Sequence, residues 1–588
     1  MKTWGKKISV YIFFMFLSIF FVFFLYKTRQ LGIDSDGSFH FSRVEEIYQN
    51  LKAGELFTFI ATHTFHNSGV GSFLFYPTVF LYPWACLRFF LDPITSFYVW
   101  YGLFMFLTLS IAYYSMYGFS RSKLRALMFA LFYTIAIYHL YLGVRNYVLG
   151  EFIAYTFVPL ALYGFYEVIW GDHRKWPLLG IGVALLLYSH LISVVITVIL
   201  MFVLFISKLV VDIKFPKVRW MALFKSIGLA LILSLWVIYP FFTDFMHTKL
   251  GTPSFGFAFL YSMQDLWAAS LENHATNRGV GIIFLMAAIS GWYFVRNKKQ
   301  EFWIYILGLI FIALSTNLFP YTELARIDSL FFLGMIQFPY RFLTYASLFM
   351  AATLSLIFER VFNKFQAHKK MLFFCVLGVM MCLYIQTLTP VLDRIYDATP
   401  EARLKKGNIT DPVPAGAILD KDNYYDMYTY RVLYGETDYY PKASFDGNVT
   451  ITDSNVQKTI LDRSQSIMLH KAKIENKDIT IDPSVAPNEL DYQVKLQKSA
   501  LVDLPVVNYP SEKVYVNGKE FPYSVSDRGT VQVKLAQGKN RVVVRYVMKQ
   551  TYYILCGIAV MTWVVICITT LLKKYKEVKT NKGMKIKS

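Results

Sequence analysis

Long apolar runs recur along this chain from its start to about residue 390, and they limit its possible folds more than any other feature. Of the 588 residues, 55% are hydrophobic and 18% are aromatic. A bilayer core about 30 Å thick requires roughly 20 apolar residues for each crossing helix. Because many of the runs reach that length, the sequence predicts a polytopic α-helical membrane protein.

The residues around the first apolar run predict its orientation. Lys2, Lys6 and Lys7 precede the run 8–25, which contains no small-residue cleavage site. We therefore interpret the run as a retained span and not as a signal peptide. Basic flanks stay in the cytoplasm, so the N-terminus is expected there.

The formal net charge of +20 does not indicate nucleic-acid binding. The basic residues are spread over short loops and a lysine-rich tail, whereas nucleic-acid binders gather them in a patch. The positive-inside rule and attraction to anionic lipid explain this distribution, which makes the lipid bilayer the expected partner. All five cysteines fall in apolar stretches, which argues against a disulfide framework.

Hydropathy and loop charge together predict about twelve spans with both termini in the cytoplasm. The predicted spans are 8–25, 97–117, 124–142, 152–170, two short spans within 177–206 that turn at Ser189-His190, 222–242, 279–295, 302–317, 341–358, 371–388 and 550–572.

The stretch 74–91 is the main ambiguity in this topology. It is broken by Pro77 and Pro83, and we interpret it as re-entrant or interfacial because the basic clusters that follow then lie in the cytoplasm. A spanning 74–91 combined with a single helix over 177–206 also gives twelve spans. Both arrangements have twelve spans and place the two termini on the same side, so the span count leaves both open. The loop charges favour the arrangement with a re-entrant or interfacial 74–91.

The composition divides the chain into three parts. Residues 1–388 form the predicted transmembrane domain, whose first outer loop, 27–73, contains a helix along the membrane surface. Residues 389–549 have short alternating apolar stretches and an Asn517-Gly518 hairpin signal, which predict an extracytoplasmic β-sandwich. Residues 550–588 form the last span and a basic cytoplasmic tail.

The predicted topology collects polar residues on the outer face. The first outer loop brings Asp34, Asp36, His40 and Arg43, which lie within ten residues of each other. Later loops bring Arg145, Glu151, His190, Asp265, Glu272, His274, Arg278, Glu323, Arg326, Asp328, Gln337 and Arg341.

These residue types can support transfer from a phosphate-linked donor. A carboxylate in a partly apolar cleft has a raised pKa and can act as a general base, and an arginine can bind a phosphate through two hydrogen bonds. Structural explanations stay open for each residue. Asp36 could cap the helix that follows it, Arg145 and Glu151 could form a loop ion pair, and His190 could be a buried, hydrogen-bonded residue. Gln337 and Arg341 could simply begin a span.

Several motifs are absent from the sequence. It has no Walker-type glycine-rich loop, no GxGxxG after a strand and no HExxH. A nucleotide-driven pump is therefore not expected.

The stretch from Asp36 to Arg43 resembles the Gly-x-Asp-x-x-Phe-His-x-x-Arg signature of bacterial multi-pass proteins labelled "6-pyruvoyl-tetrahydropterin synthase-related". These proteins are related to YfhO-like proteins and to the GT-C class of membrane glycosyltransferases. Further similar stretches, in chain order, are Phe75-Tyr76-Pro77, Arg145 to Glu151, Gln337 to Arg341, and Tyr439-Tyr440-Pro441. The clustered histidines of a soluble zinc enzyme, which the pterin label would imply, are not present.

The resemblance implies a polyprenyl-phosphate-linked sugar donor and an inverting transfer on the outer face of a bacterial plasma membrane. Asp36 occupies the position of the acidic residue that deprotonates the acceptor. The glycine of the signature stands at Gly32, four residues before Asp36 and not two, so Asp34 stays an alternative.

The leading hypothesis is a glycosyltransferase that modifies a cell-envelope polymer or lipid. Its candidate catalytic residues are Asp36, Asp34, His40 and Glu151, and its candidate donor-phosphate ligands are Arg43, Arg145 and Arg341. His190 and Gln337 are further candidates. A divalent metal ion on Asp34, Asp36 and Glu151 is left open. The alternatives are a transporter or flippase of a lipid-linked precursor, and a non-catalytic assembly protein.

Overall fold

The computed structural model describes residues 2–211, 215–251, 257, 259–324, 326–327, 334, 336–432, 435–445, 463–475 and 477–586, with side chains from residue 9 to residue 575. Asp328 lies outside the described residues.

Helices make up most of the described chain. They are α1 (Lys2–Lys27), α2 (Gly37–Lys52), α3 (Ser72–Phe75), α4 (Tyr82–Leu87), α5 (Pro93–Ser120), α6 (Lys123–Thr134), α7 (Ile137–Val144), α8 (Leu149–Ile169), α9 (Pro177–Leu187), α10 (Leu191–Val211), α11 (Lys217–Thr243), α12 (Met263–Glu272), α13 (Ile282–Val295), α14 (Lys299–Leu314), α15 (Tyr321–Leu324), α16 (Leu343–Lys364), α17 (Lys369–Tyr396), α18 (Arg463–Met468) and α19 (Gln550–Ile586).

The long helices confirm a multi-pass membrane protein. Within the described residues, 8 helices are long and apolar enough to cross a bilayer, or 9 if the pair α6 and α7, bent by 44°, counts as one span. Three of the predicted spans are shorter: α9, α13 and α14 have 11, 14 and 16 residues. At about 1.5 Å per residue, a 14-residue helix reaches only about 21 Å. Among the described residues, the number of helices long enough to cross the bilayer is therefore smaller than the twelve spans predicted.

The two ambiguous stretches both break into short pieces. Residues 72–87 form α3, a 3₁₀ turn at Val79–Leu81 and α4, with a proline in the first turn of α4. None of these pieces is long enough to span. Between α9 and α10 the chain turns at residues 188–190, as the Ser189-His190 interruption predicts.

Helix α2 forms where the spacing of Phe41, Val44 and Ile47 predicts it. Twelve of its residues are buried inside the protein, including Arg43 and Glu46. Its position along the membrane surface stays a prediction. The spacing of apolar residues shows which face is buried, whereas the polar face of α2 is buried as well because it finds partners in other segments.

The strands lie mainly at the C-terminal end. A short ladder pairs β1 (Leu31–Gly32) with β2 (Ile418–Leu419), and the others are β3 (Lys471–Ile474), β4 (Lys477–Thr480), β5 (Ser484–Ala486), β6 (Glu489–Leu496), β7 (Ala500–Val507), β8 (Glu512–Val516), β9 (Lys519–Glu520), β10 (Ser524–Val525), β11 (Thr530–Leu535) and β12 (Gly538–Tyr546).

These ten C-terminal strands form two antiparallel five-stranded sheets with the orders β10-β11-β7-β3-β4 and β5-β6-β12-β8-β9. Side chains of both sheets, such as Val502 and Val542, share one apolar core, so the C-terminal region is a β-sandwich. The hairpin prediction is confirmed: Val516 pairs with Lys519 across Asn517 and Gly518, which have positive φ angles of 50° and 84°.

The sandwich is held against the first loop. The hydroxyl of Tyr509 accepts a hydrogen bond from Gly71 N at 2.8 Å, and Asn488 Oδ1 accepts one from Phe59 N at 2.7 Å. Val507 N donates to Ser68 O at 2.9 Å. These contacts fix the segment between α2 and α3, and Phe65 of this segment packs against Phe39 of α2.

Candidate active site

The carboxyl group of Asp36 stands at the start of α2 without acting as its cap. Asp36 is the residue before the helix, yet its side chain makes no capping hydrogen bond. Among the described residues, the hydrogen bond that it accepts is a long one, 3.3 Å from the hydroxyl of Ser35. Its backbone N–H donates to Asn146 O at 3.3 Å, which joins the first loop to the loop before α8. The carboxylate is thus left available for chemistry.

Burial and, to a smaller degree, the nearby carboxyl group of Asp438 raise the pKa of Asp36 to about 7, while Ser35 and Arg341 oppose the shift. Burial likewise raises the pKa of Asp438 to about 6. Both side chains keep part of their surface accessible. A pair of carboxyl groups near neutral pKa is suited to accepting and holding a proton at physiological pH.

An aromatic stack holds the segment of Asp438 against the first loop. Asp438 lies in a 3₁₀ turn, Thr437–Tyr439. The ring of Tyr439 stacks on Phe39 of α2, with centroids 6.0 Å apart, and on Phe75 of α3 at 6.2 Å. These contacts bring a residue from the far end of the chain next to Asp36.

Tyr76 contacts residues from two other stretches on which the family resemblance rests, Gly150 and Arg43. Gly150 has no side chain at the point where the Tyr76 hydroxyl approaches, and a Cβ there would overlap this hydroxyl. The guanidinium group of Arg43 donates to Tyr76 O at 2.6 Å and lies 4.7 Å from the centroid of its ring. Arg43 is fully buried, so its role in this structure is to hold the chain at Tyr76-Pro77. Its side chain does not reach an accessible surface from which it could bind a phosphate.

Glu151 pairs with Arg341, not with Arg145. Glu151 Oε2 lies 3.6 Å from Arg341 Nε, and its other oxygen accepts hydrogen bonds from Tyr138 at 2.8 Å and Thr344 at 3.2 Å. Arg341 also donates to Gln337 Oε1 at 3.0 Å. Gln337 therefore positions Arg341, and the positive charge of Arg341 acts on Asp36.

Asp34 belongs to a separate ion cluster. Its carboxylate pairs with Arg145, and Arg394 Nη1 lies 3.1 Å from its Oδ2. The loop ion pair between Arg145 and Glu151 is therefore not formed, because each residue has another partner. With two arginines on its carboxylate, Asp34 has no free negative charge to offer a substrate.

The two histidines lie on either side of Tyr76. His40 is 1% exposed, and neither ring nitrogen has a hydrogen-bond partner among the described residues. Burial and the charge of Arg43 lower the pKa of His40, so its ring is neutral at physiological pH. His190 Nδ1 lies 2.9 Å from the Ser193 hydroxyl, and its ring is 6.0 Å from that of Tyr76. His190 is therefore a buried, hydrogen-bonded residue beside the site.

The three carboxylates considered for a metal ion do not come together. Asp34 and Glu151 are each paired with arginine, and only Asp36 faces the site. Over the described part of the chain, no group of three or more His, Cys, Asp or Glu side chains is arranged to hold a metal ion.

Comparisons with known proteins do not assign this chain to a family. No protein-family model matches the chain, and no curated protein matches it. Membership of the YfhO-like family therefore stays a prediction. A solved structure that is similar is that of the arabinofuranosyltransferase AftD from Mycobacteria, with 10% sequence identity and a TM-score of 0.40. The match covers 72% of this chain and 31% of AftD, so the chain spans about a third of the length of that protein.

Sequence reasoning missed two charged residues of the site, Asp438 and Arg394. The signal for Asp438 was its position directly before Tyr439-Tyr440-Pro441, a stretch already noted for its resemblance. Arg394 lies in the last turn of α17 and belongs to no recognisable motif, so no sequence signal marked it. Arg278, noted only as an outer-face residue, lies 4.9 Å from the centroid of Tyr340, the residue before Arg341.

Other predicted outer-face residues lie outside this cluster. Asp265 forms a capping box with Ser262 at the start of α12. Glu272 is exposed and accepts a hydrogen bond from Asn277, and Glu323 is exposed and accepts one from Thr322. These contacts are local, so they explain the residues without a role in the site.

Proposed function

We propose that this protein is a glycosyltransferase of the bacterial plasma membrane. It moves a sugar from a polyprenyl-phosphate donor to a cell-envelope polymer or lipid on the outer face. The observation that carries the proposal is Asp36, a carboxyl group with a pKa of about 7 that is influenced by Asp438 and Arg341 and whose backbone N–H donates to Asn146 O. The β-sandwich lies on the same outer side, and both termini are cytoplasmic.

Asp36 acts as the general base. Its carboxylate takes the proton of an acceptor hydroxyl, whose oxygen then forms a bond to the anomeric carbon of the donor sugar. The bond from that carbon to the phosphate oxygen breaks, and polyprenyl phosphate leaves. A base with a pKa near the operating pH combines a large deprotonated fraction with a strong tendency to accept the proton. Asp438 contributes by keeping the pKa of Asp36 high.

Arg278 binds the donor phosphate, and the buried Arg341, which is paired with Glu151, adds positive charge to the site. Arg341 is the arginine whose charge acts on Asp36, and Arg278 is partly exposed over the Tyr340 and Tyr261 rings, 4.9 Å and 4.4 Å from their centroids. Positive charge held in place before the reaction stabilises the negative charge that develops on a leaving phosphate. Among the earlier candidates, Arg43 and Arg145 instead hold the loops together.

The experiment that tests this proposal compares envelope polymers and lipids from three strains by mass spectrometry. The strains are a deletion strain and the same strain complemented with wild type or with Asp36→Asn at matched expression. We expect a sugar that is missing in the deletion strain to be restored by wild type only. Asn has nearly the same shape as Asp, so a loss of transfer reports on the missing base and not on packing.

A complete restoration by Asp36→Asn would rule out Asp36 as the base. A missing modification that none of the complemented strains restores would contradict the glycosyltransferase assignment itself. Thermal unfolding of both purified proteins serves as the folding control.

A further inference from the structure

A second cavity lies beside the candidate active site and takes no part in the chemistry proposed above. It has a volume of about 160 Å³ and is enclosed by α2, the segment 63–67, residues 409–432 and the start of the β-sandwich. Its polar lining includes His63, His66, Asn67, Tyr428, Tyr430 and His470. A single water takes up about 30 Å³ in the liquid, so the cavity has room for a small organic group.

No lysine, arginine, aspartate or glutamate is among the described residues that line the cavity. Each of its three histidines lies beside a carboxylate: Glu46 beside His63, Glu436 beside His66, and Asp482 beside His470 at 2.6 Å. Glu436 Oε1 lies 2.9 Å from His66 Nδ1, and Glu46 accepts backbone hydrogen bonds from residues 62–64, such as that from Thr64 N at 2.7 Å. Because each lining histidine already lies against a carboxylate, a phosphate or carboxylate ligand would find no uncompensated positive charge among the described residues of the lining.

The histidine rings are held in fixed orientations, and both ring nitrogens of His66 and of His470 already have partners. The ring nitrogen that can face a ligand is therefore Nε2 of His63. His63 Nδ1 lies 3.2 Å from Glu46 Oε1, and His470 Nε2 lies 2.8 Å from His66 O. Hydrogen bonds of this kind fix the orientation of a histidine ring. The tyrosine rings and apolar residues such as Ile409 complete the lining. Hydrogen-bonding groups that alternate with aromatic and apolar surface suit a ligand with both hydroxyl groups and C–H faces.

The backbone of this wall is strained in a way that fixes its shape. Phe65, His66 and Asn67 are consecutive, and all have positive φ angles, of 49°, 55° and 50°. A left-handed backbone is strained for residues other than glycine and persists only where the surroundings enforce it. Here the hydrogen bonds of His66 and the 2.6 Å bond from Asn67 Nδ2 to Thr62 O enforce it. The cavity wall is therefore built before any ligand binds.

The cavity shares a wall with the candidate active site. Phe65, which lines the cavity, packs against Phe39 with ring centroids 5.8 Å apart. On the other side of that wall, Phe39 stacks on Tyr439, the neighbour of Asp438. The cavity and the candidate active site are therefore separated by one layer of aromatic side chains.

We propose that this cavity binds one neutral sugar unit of the acceptor and so sets which saccharide is presented to Asp36. The proposal rests on the glycosyltransferase function proposed above. A volume of about 160 Å³ is below the roughly 300 to 1,000 Å³ of pockets for drug-sized ligands. A single sugar ring fits that volume, whereas a nucleotide or a lipid chain does not.

Saturation-transfer NMR on the full-length protein in lipid nanodiscs tests the proposal directly. The probes are the methyl glycosides of glucose, galactose, mannose and N-acetylglucosamine, measured singly. Ile409→Trp fills the cavity without touching its hydrogen bonds, and Tyr430→Ala removes a ring from its wall. We expect at least one glycoside to show saturation transfer with wild type, reduced about fivefold or more by either variant.

Two controls separate this proposal from the proposed function. Tyr396→Ala removes an exposed tyrosine outside the cavity and should leave the signal unchanged. Asp36→Asn should also leave it unchanged, because Asp36 does not line the cavity. Binding that persists in Asp36→Asn supports the cavity even if the transfer assay fails.

Two results would overturn the inference. One is the absence of saturation transfer to all four glycosides with wild type. The other is an equal signal from wild type and Ile409→Trp, provided that Ile409→Trp unfolds at the same temperature as wild type or higher.

Discussion

The carboxylate of Glu151 lies 3.6 Å from Nε of Arg341, and this ion pair joins the start of α8 to the 3₁₀ turn before α16. The side chains of Glu151 and Arg341 are only 2% and 9% exposed. When one member of a buried ion pair is removed, the other is left as an uncompensated charge. The pair thus fixes the position of the arginine whose charge acts on Asp36.

Replacing Glu151 by alanine should destabilise the protein by about 3 kcal/mol, because it leaves Arg341 buried and unpaired. Thr344→Val is the matched control, since it removes one hydrogen bond to the same carboxylate and should cost only about 1 kcal/mol. Thermal or detergent-induced unfolding of the purified proteins measures both effects. Equal losses for the two variants would contradict a dominant role of the ion pair.

The transfer rate should rise with pH through about pH 7 and level off above it. The reason is that Asp36, whose pKa is about 7, acts as a base only in its deprotonated form. Asp438→Asn removes a carboxyl group that raises this pKa, so the rise should move to lower pH. Initial rates measured from pH 5 to pH 9 test both statements.

Asp422→Asn is the control for this pH profile, because Asp422 is an exposed carboxyl group outside the site. Its profile should match that of wild type. A midpoint that stays the same in Asp438→Asn would show that the two carboxyl groups do not interact during the reaction.

Gly150→Ala should lower the transfer rate by about tenfold or more, because its Cβ would overlap the hydroxyl of Tyr76. Adding Tyr76→Phe removes that hydroxyl and should restore part of the activity. The double variant is compared with Tyr76→Phe alone. If Tyr76→Phe gives no relief, the close contact between the two residues is not the cause of the loss.

Asp34→Asn and Asp36→Asn should have opposite effects. Asp34 joins Arg145 to Arg394, so its loss should reduce the free energy of unfolding by about 1 kcal/mol while transfer remains measurable. Asp36→Asn should abolish transfer and leave the unfolding temperature nearly unchanged. Parallel measurements of melting and transfer distinguish the two. Abolished transfer in Asp34→Asn, with its melting unchanged, would assign the base to Asp34.

Local patterns predicted the elements of this fold well. The apolar runs predicted the long helices, and Asn517-Gly518 predicted the hairpin that joins β8 to β9. The proline-broken stretch after residue 74 was predicted not to form one spanning helix, and it forms short pieces. These features depend on residues near each other in the chain, so a single sequence reports them directly.

Ion pairs between residues far apart in the sequence were not predictable in this way. Arg145 and Glu151 are close in sequence and suggested a pair, but their partners are Asp34 and Arg341. The burial of the polar face of α2 was also missed, because it depends on groups such as Arg88, 2.7 Å from Glu45.

The sequence by itself determined that this is a multi-pass helical membrane protein with a C-terminal β-sandwich, since these follow from hydropathy and from alternation over short windows. It also pointed to the stretch around Asp36. Only the tertiary structure decided which charges face that carboxyl group and which are used to hold loops together. The physical reason is that a charge acts through distance in space and through burial, and Asp438 reaches Asp36 only because Phe39, Tyr439 and Phe75 stack.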